Sequence, residues 1–457
     1  MNILEEKQKP LDIFCLASNM MNKSVEHTLG PNGTNTAIPN KKGYFDIIND
    51  GKTILESLDS PDPAIATALN TLKQASFETN RKAGDGTTST TILMNALLQG
   101  AKAYIESNDD TNVCIELSKK LIELRDKALS ELDNITIPVS KELYFNIAKI
   151  ALGSDKYAKD LADVFDFLGK NKRPTLIKKD IPNVQFNKIE GISLNKINIV
   201  SNIFLESKEF NNVNVLCIYS EVNRFQEITQ LLRKIRTTDK PTILFYNKLS
   251  IDILENILFN FSNNALNVIP VDLSNYGKGT YSIMCELSDY CDCTVIDGIK
   301  HKISDINNIK FGEFDYSVIN SKQIILKNNL DKNDKSYLHL EKNSVIIYSG
   351  GTNILEQEEV YRRLEDAINS LGNAIDFGIV PGAGTTYSTI IDHLYNMDPD
   401  IPKFIIKAMK KIKNILNNID LDTVYDSKTV VQEVINNAFT LVSQIITTNI
   451  IIHDNIR

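Results

Sequence analysis

The segment Gly84-Asp85-Gly86-Thr87-Thr88-Ser89 places two glycines, a carboxylate and three hydroxyls directly ahead of apolar residues at helical spacing, Ile92, Leu93, Ala96 and Leu97. Backbone N–H groups and hydroxyls at the start of a helix form a phosphate-binding seat. Asp85 inside that seat would repel phosphate unless a divalent cation lay between them. Mg²⁺ is commonly held by a carboxylate together with phosphate oxygens, so Asp85 reads as a metal ligand rather than a helix cap. Three more turns carry compatible chemistry: Leu29-Gly30-Pro31-Asn32-Gly33, Asn49-Asp50-Gly51 and Gly378-Ile379-Val380-Pro381-Gly382-Ala383-Gly384. Taken singly, each is an ordinary capped helix start or tight turn. Their significance lies in occurring together and in order.

The elements that must position these turns follow from apolar periodicity. Residues 64–80, 88–106 and 112–132 have helical spacing. The middle of the chain alternates strand and helix patterns: strands at 213–219, 242–246 and 266–272, helices at 224–236 and 251–262. This β-α-β-α-β order predicts a parallel sheet flanked by helices. The last third returns to helix at 355–377, 402–418 and 428–447. If the first and last thirds build one site, the α/β segment is an insertion into a discontinuous helical domain. Residues 329–335 are the best candidate for a flexible boundary. Tyr276-Gly277-Lys278-Gly279-Thr280 lacks Walker spacing and reads as a plain turn.

Composition narrows the class. A chain of 457 residues exceeds one ordinary core. A formal net charge of -8, with no dense Lys/Arg stripe, argues against nucleic-acid binding. The six cysteines are scattered, and Cys291-x-Cys293 without a second pair is a poor zinc signal; buried reduced thiols are expected. No run reaches the length of a membrane span, and the N-terminus shows no signal-peptide pattern. A cytosolic protein is expected.

At this point the residues resemble the chaperonins. The glycine-rich turns, Asn49-Asp50-Gly51, Leu364-Glu365-Asp366-Ala367 and Gly84–Ser89 match in order and approximate spacing over nearly the whole chain. The middle segment is similar to the compact apical domain of the group I (GroEL-type) branch. The resemblance implies a multidomain α and α/β fold. Its parts would be a discontinuous helical equatorial ATPase domain (1–134 and 377–457), a small intermediate hinge domain (135–188 and 342–376) and an inserted α/β apical domain (189–341). It implies ATP and Mg²⁺ as cofactors, non-native polypeptides as partners and a homo-oligomeric ring, sevenfold in the group I manner. Whether a cochaperonin takes part stays open. The activity implied is ATP-driven assistance of folding. The alternative is a ring-forming holdase or scaffold with little turnover; a metabolic nucleotide enzyme built on the α/β segment is a weaker third reading.

The resemblance also implies roles. Asp85 would hold Mg²⁺, with Gly86, Thr87, Thr88 and Ser89 cradling phosphates. Thr28, Leu29, Gly30 and Pro31 would wrap the α- and β-phosphates. Gly382, Ala383, Gly384 and Asp426 would contact the nucleotide. Asp50 and Asp366 would position the attacking water. Ile203, Phe204, Leu232, Leu254, Leu258 and Phe259 would form the polypeptide-binding groove.

The chain also departs from the family pattern. Ala383 replaces a glycine. Asn49 replaces a lysine beside an associated K⁺ site, which leaves K⁺ dependence open. The stretch 419–425 is a short link where the family has an adenine-contacting segment and much of the ring-to-ring contact, so a single ring, or rings that pair weakly, is expected. A second shortening falls near 325–342. The Asn-, Ile- and Lys-rich composition suits a compact viral or parasite genome, in which case the cytoplasm would be the host's.

Overall fold

The computed structural model describes the chain except residues 1, 4–9, 31–32, 40–44, 109, 153–154, 196, 200–203, 205–206, 322, 329–339, 417–423 and 454–457. The N-terminal part contains β1 (Asn2–Ile3), α1 (Pro10–Val25), β2 (Thr36–Pro39), β3 (Phe45–Ile48), α2 (Gly51–Ser57), α3 (Pro63–Ala83), α4 (Thr87–Glu106), α5 (Val113–Ile135), α6 (Tyr144–Leu152) and α7 (Ala158–Leu168). The middle contains β4 (Thr175–Lys178), β5 (Gln185–Leu194), β6 (Lys208–Ile218), α8 (Phe225–Arg236), β7 (Thr242–Tyr246), α9 (Ile251–Ser262), β8 (Val268–Asp272), α10 (Thr280–Cys291), β9 (Val295–Ile296), β10 (Gly312–Ile319), β11 (Ile324–Lys327) and β12 (Glu341–Ser349). The chain closes with α11 (Ile354–Phe377), β13 (Ile379–Pro381), α12 (Thr385–Met397), α13 (Lys403–Ile415), β14 (Tyr425–Ser427), α14 (Lys428–Ile445) and β15 (Ile452–His453).

These elements form two compact units, 1–173 with 358–457 and 174–357. The helical unit is therefore built from both ends of the chain, and β1 pairs antiparallel with β15. The residues expected to form the hinge are shared out, with α6, α7 and most of α11 in the helical unit and β4 and β12 in the other. At the centre of the helical unit lies α4, whose Ile92, Leu93, Met94, Leu97 and Leu98 are all fully buried. Helices α1, α13 and α14 pack around it. Burying five large apolar side chains on one helix stabilises its position by about 1.5–3 kcal/mol each, so the N-terminal end of α4 is a rigid mount. Its predecessor α3 has strong boundaries. The Asp62 carboxylate caps the N-terminus through Ala64 N–H and Ile65 N–H with Pro63 in the first turn, and Gly84 closes the other end in the left-handed conformation (φ 72°).

In the second unit one mixed sheet runs in the order β4-β12-β5-β11-β10-β6-β7-β8, with β9 also on β6. The expected parallel part is present, β6–β7–β8, and β9 adds to it. It continues through β10, β11, β5 and β12 as antiparallel pairs that the β-α-β-α-β pattern did not anticipate. The parallel strands read as continuous apolar runs because helices cover both faces; β7 is buried at all five positions. The stretch at 276–280 is a 3₁₀ turn leading into α10. The expected boundary at 329–335 lies outside the described residues, as does most of the short link at 419–425. Helices α1 and α12 and the β2–β3 hairpin were not read from the sequence. The six cysteines are free, but only Cys15, Cys217 and Cys293 are buried and Cys285 is exposed, which corrects the expectation of uniformly buried thiols. Among the described residues no helix is long and apolar enough to cross a membrane.

Candidate functional site

Between α3 and α4 the chain turns through Gly84, Asp85 and Gly86 (φ 96°). Positive φ at both flanking positions is a conformation that glycine adopts without strain. Gly86 is the N-cap of α4 and supplies no side-chain cap. The first-turn N–H groups of Thr87, Thr88 and Ser89 therefore face out of the helix end with the positive end of its dipole. The Thr90 and Thr91 hydroxyls bond back to Gly86 O and Thr87 O and are buried. Thr88 and Ser89 are half-buried. Asp85 does not cap the helix; its Oδ1 accepts from the adjacent Gly86 N–H at 2.5 Å.

Other elements close around this turn. The N-terminus of α2 abuts it so tightly that a Cβ on Gly51 would lie 2.3 Å from Thr88 Oγ1. Asp50 is the N-cap of α2, accepting from Lys52 N–H at 3.2 Å, Thr53 N–H at 2.9 Å and the Thr53 hydroxyl. The 3₁₀ turn ending at Thr28 packs on α4. There Thr28 donates to Val25 O at 2.8 Å, Leu29 packs on the helical core, and Gly30 is exposed with φ 81°. Pro31 lies outside the described residues. Strand β13 pairs with β14 so that Val380 faces Asp426. Gly382 donates to Val424 O at 2.8 Å and Gly384 (φ 76°) is the N-cap of α12. Ala383 holds a left-handed conformation (φ 51°) that favours glycine.

Charge shows which of these groups share a space. The Asp85 carboxyl is raised above the usual range by burial and by Asp50; Gly86 N–H and the Ser370 hydroxyl act in the opposite direction. By surface area Asp85 is nevertheless exposed, so the crowding that raises its carboxyl comes from close protein atoms and not from enclosure in a closed core. Asp366, half-buried on α11, is raised well above the usual range by burial, then by Asp85 and Asp50. Asp426 is pushed up to about 7 by burial and by Asp85. Asp50, Asp85, Asp366 and Asp426 thus converge, and among the described residues Asp85, Asp366 and Asp426 form no ion pair. No group of three His, Cys, Asp or Glu stands close enough to cage a metal among the described residues. This is the donor set for a divalent cation shared with phosphate oxygens, and Asp85 fits Mg²⁺ in that role.

The sequence reading missed several residues here. Tyr387 on α12 is almost fully buried, with its hydroxyl raised well above the usual range by burial, Asp426 and Asp85. Thr385 Oγ1 and Ser427 Oγ, beside Gly384 and Asp426, are buried without a hydrogen-bond partner. Two orphaned hydroxyls cost free energy unless a ligand satisfies them. Their positions directly after Gly384 and Asp426 were the available signal, but Ser and Thr are too common near turns for it to stand out.

In the second unit, burial corrects part of the expected groove. Phe204 is fully buried, with its ring centroid 5.6 Å from that of Phe261, and Leu232 is buried in the core beneath α8. Neither side chain lies at the surface of this structure. Ile203 lies outside the described residues. On α9, Ile253 and Ile257 face the core, Leu254 and Leu258 are half-buried, and Phe259 is 69% exposed. Ile251, not anticipated, is 72% exposed.

Comparison with known proteins agrees with this architecture. The sequence profile of the TCP-1/cpn60 chaperonin family matches residues 21–269. Chaperonin GroEL of Mycoplasmoides gallisepticum is 24% identical over 96% of this chain and 95% of its own. Chaperonin GroEL 2 of Corynebacterium jeikeium is 25% identical over 81% of this chain and 74% of its own. Among solved structures, the chaperonin gp146 from bacteriophage EL 2 (Pseudomonas aeruginosa), crystallised in the presence of ATP-BeFx, superposes with a TM-score of 0.71 at 15% identity over 98% of each chain. A second crystal form gives 0.69 at 14% identity, covering 100% of this chain and 99% of that one. With a family profile spanning more than half its length and the same fold throughout, this chain belongs to the TCP-1/cpn60 chaperonin family as a divergent, GroEL-like member.

Proposed function

We propose that this chaperonin binds and hydrolyses ATP at the α3–α4 turn and uses that cycle to assist the folding of non-native polypeptides within a ring. The observation that carries the reading is an uncapped helix N-terminus beside the exposed Asp85, with Asp50, Asp366 and Asp426 close enough to act on its charge. Donors at the helix end bind phosphate; the surplus of carboxylates calls for a cation.

In this reading, Thr87, Thr88 and Ser89 bind phosphate oxygens with their N–H groups and hydroxyls. Gly84 and Gly86 keep the turn free of side chains where phosphate approaches. Asp85 would hold Mg²⁺, which when bound would neutralise charge developing on the transferred phosphoryl group. Asp50 is pinned by Lys52 and Thr53, and its remaining lone pairs orient a water. Asp366 approaches Asp85 from α11 and completes the alignment. The Thr28–Pro31 loop, Gly382–Gly384 and Asp426 hold the rest of the nucleotide. Apolar side chains on α9, Ile251, Leu254, Leu258 and Phe259, form the polypeptide-binding face, and a ring multiplies such weak patches into avidity. The equatorial, intermediate and apical division of the chain and a cytoplasmic setting belong to the same reading.

The test is steady-state ATP hydrolysis beside nucleotide binding by calorimetry. Asp366→Ala should bind nucleotide with little change and lose roughly a hundredfold or more in turnover, the scale of a positioned acid–base group. Asp85→Asn should lose the Mg²⁺-dependent part of binding. Wild-type protein that captures unfolded polypeptide without any turnover sensitive to Asp366→Ala would instead establish a holding ring.

A further inference from the structure

Helix α4 opens without a side-chain cap. A cap stabilises a first turn by occupying its N–H groups, and without one the turn is prone to fray. Here those N–H groups are left for a ligand, so the turn has to be held by its other backbone groups. Two hydroxyls on the next turn do this through the carbonyls. The Thr90 hydroxyl reaches Gly86 O at 2.9 Å, beside the Thr90 N–H that bonds the same oxygen at 2.9 Å. The Thr91 hydroxyl donates to Thr87 O at 3.0 Å. A peptide group is planar, so the Gly86 carbonyl shares a plane with the Thr87 N–H, and the Thr87 carbonyl with the Thr88 N–H. Fixing each carbonyl therefore fixes the direction of one N–H at the phosphate seat.

Back-bonding of this kind is common for Thr inside helices. What sets this pair apart is a second layer supplied by α3. Ser76 Oγ lies 2.9 Å from Thr91 Oγ1 and, with the Thr91 proton given to Thr87 O, donates to it. The Thr79 hydroxyl lies 2.9 Å from Thr90 Oγ1 and accepts from Asn437 Nδ2 on α14, also at 2.9 Å. Ser76, Thr79, Thr90 and Thr91 are all fully buried. Gly86 fits closely into this frame: a Cβ there would lie 3.0 Å from the Thr79 methyl and 3.1 Å from Val430. Four buried hydroxyls would cost free energy if unpaired. Here they pair into two rungs that run from α3 into α4 and end on the Gly86 and Thr87 carbonyls.

We propose that Thr90 and Thr91, backed by Thr79 and Ser76, are positioning residues for phosphate binding. They hold the uncapped first turn of α4 through its carbonyls, which keeps the Thr87 and Thr88 N–H groups aimed at the ligand and unoccupied. The proposal rests on the nucleotide reading above. The four hydroxyls act through the backbone and not on the nucleotide itself.

The experiment uses the full-length chain with Mg²⁺ and two probes, ADP and a non-hydrolysable ATP analogue. Affinity is read by calorimetry, and amide hydrogen exchange over residues 86–91 is read on the ligand-free protein. Thr90→Val with Thr91→Val keeps the side-chain shapes and removes both hydroxyls. This pair should weaken both probes about tenfold, within the range of two net hydrogen bonds, and should speed exchange of the Thr90 amide. Thr90→Ser with Thr91→Ser restores both hydroxyls and should return affinity towards the wild-type value. Ser76→Ala leaves α4 untouched and should give a smaller loss in the same direction. A folded Val pair that binds both probes as wild type does overturns the proposal, whatever its melting temperature. Lost affinity with unchanged exchange overturns it too, because the hydroxyls would then act on the ligand and not through the turn. If the Val pair does not fold, Ser76→Ala with wild-type affinity and exchange overturns it. Wild-type protein that binds neither probe overturns the nucleotide reading and with it the phosphate role, whereas the other outcomes leave that reading standing.

Discussion

Asp426 carries the clearest titration at the site. Its carboxyl is pushed up to about 7 by burial and by Asp85, against an ordinary 3.8. A carboxyl raised on folding contributes stability that is full below the ordinary value, because both states are then protonated. That contribution declines as pH rises from about 4 to about 7, where the unfolded chain releases the proton and the folded chain still holds it. Ligand-free protein should therefore show a melting temperature that falls over this range more steeply in wild type than in Asp426→Asn, read by calorimetry at matched ionic strength. Mg²⁺ held at Asp85 would place positive charge beside the raised carboxyls, so titrating the ligand-free protein with Mg²⁺ should release protons below about pH 7. Calorimetry in two buffers of different ionisation enthalpy measures that release. Gly84 offers a second residue-scale test. Gly84→Ala places a methyl at φ 72° and against Asn369, and should destabilise by at least about 1–2 kcal/mol from the backbone conformation alone.

At the scale of single elements, amphipathic helices of the second unit separate core from surface. Leu232 on α8 is buried, so Leu232→Ala should lower stability by about 2–5 kcal/mol. Ile251→Ser with Phe259→Ser removes two exposed side chains from α9 and should change stability by no more than about 0.5 kcal/mol for each. That double variant should nevertheless capture less denatured polypeptide in an aggregation-suppression assay. If Leu232→Ala and the α9 pair behave alike in both measurements, the assignment of the client-binding face to α9 fails. Helix α4 shows the opposite design. It commits Ile92, Leu93, Met94, Leu97 and Leu98 to the core, while its uncapped first turn, with Thr88 and Ser89 half-buried, is left to meet a ligand.

For the whole molecule, the β2–β3 hairpin bears Phe45 at 71% and Ile47 at 73% exposure, while Ile48 turns inward to the helical core. Two large apolar side chains on one exposed face of a two-stranded sheet fit a subunit contact, as ring assembly requires. Phe45→Ser with Ile47→Ser should shift the particle to smaller species by size exclusion with light scattering, leaving the melting temperature of the subunit nearly unchanged. Negative-stain images should show sevenfold end views for the wild-type protein. Side views should show one ring, or rings that pair weakly; stable two-ring particles without nucleotide would refute this expectation.

The sequence by itself determined the chemistry whose parts are local. Gly84–Ser89 can build a phosphate seat because a helix start, two permissive glycines and adjacent hydroxyls are all encoded within six residues. The order of the glycine-rich turns and of Asp50, Asp85 and Asp366 was legible for the same reason, and so was the split of the helical unit between the chain ends. Tertiary packing decided what periodicity leaves degenerate. Phe204 and Leu232 sit on amphipathic or irregular stretches where the same residue type serves core or surface, and only the neighbouring sheet buries them. The antiparallel half of the sheet depends on pairings between distant segments, whose register no local pattern specifies. The approach of Asp366, Tyr387 and Asp426 to Asp85 follows from how α11, α12 and β14 dock, because a side chain's reach is set by the placement of its element rather than by its own neighbours in sequence.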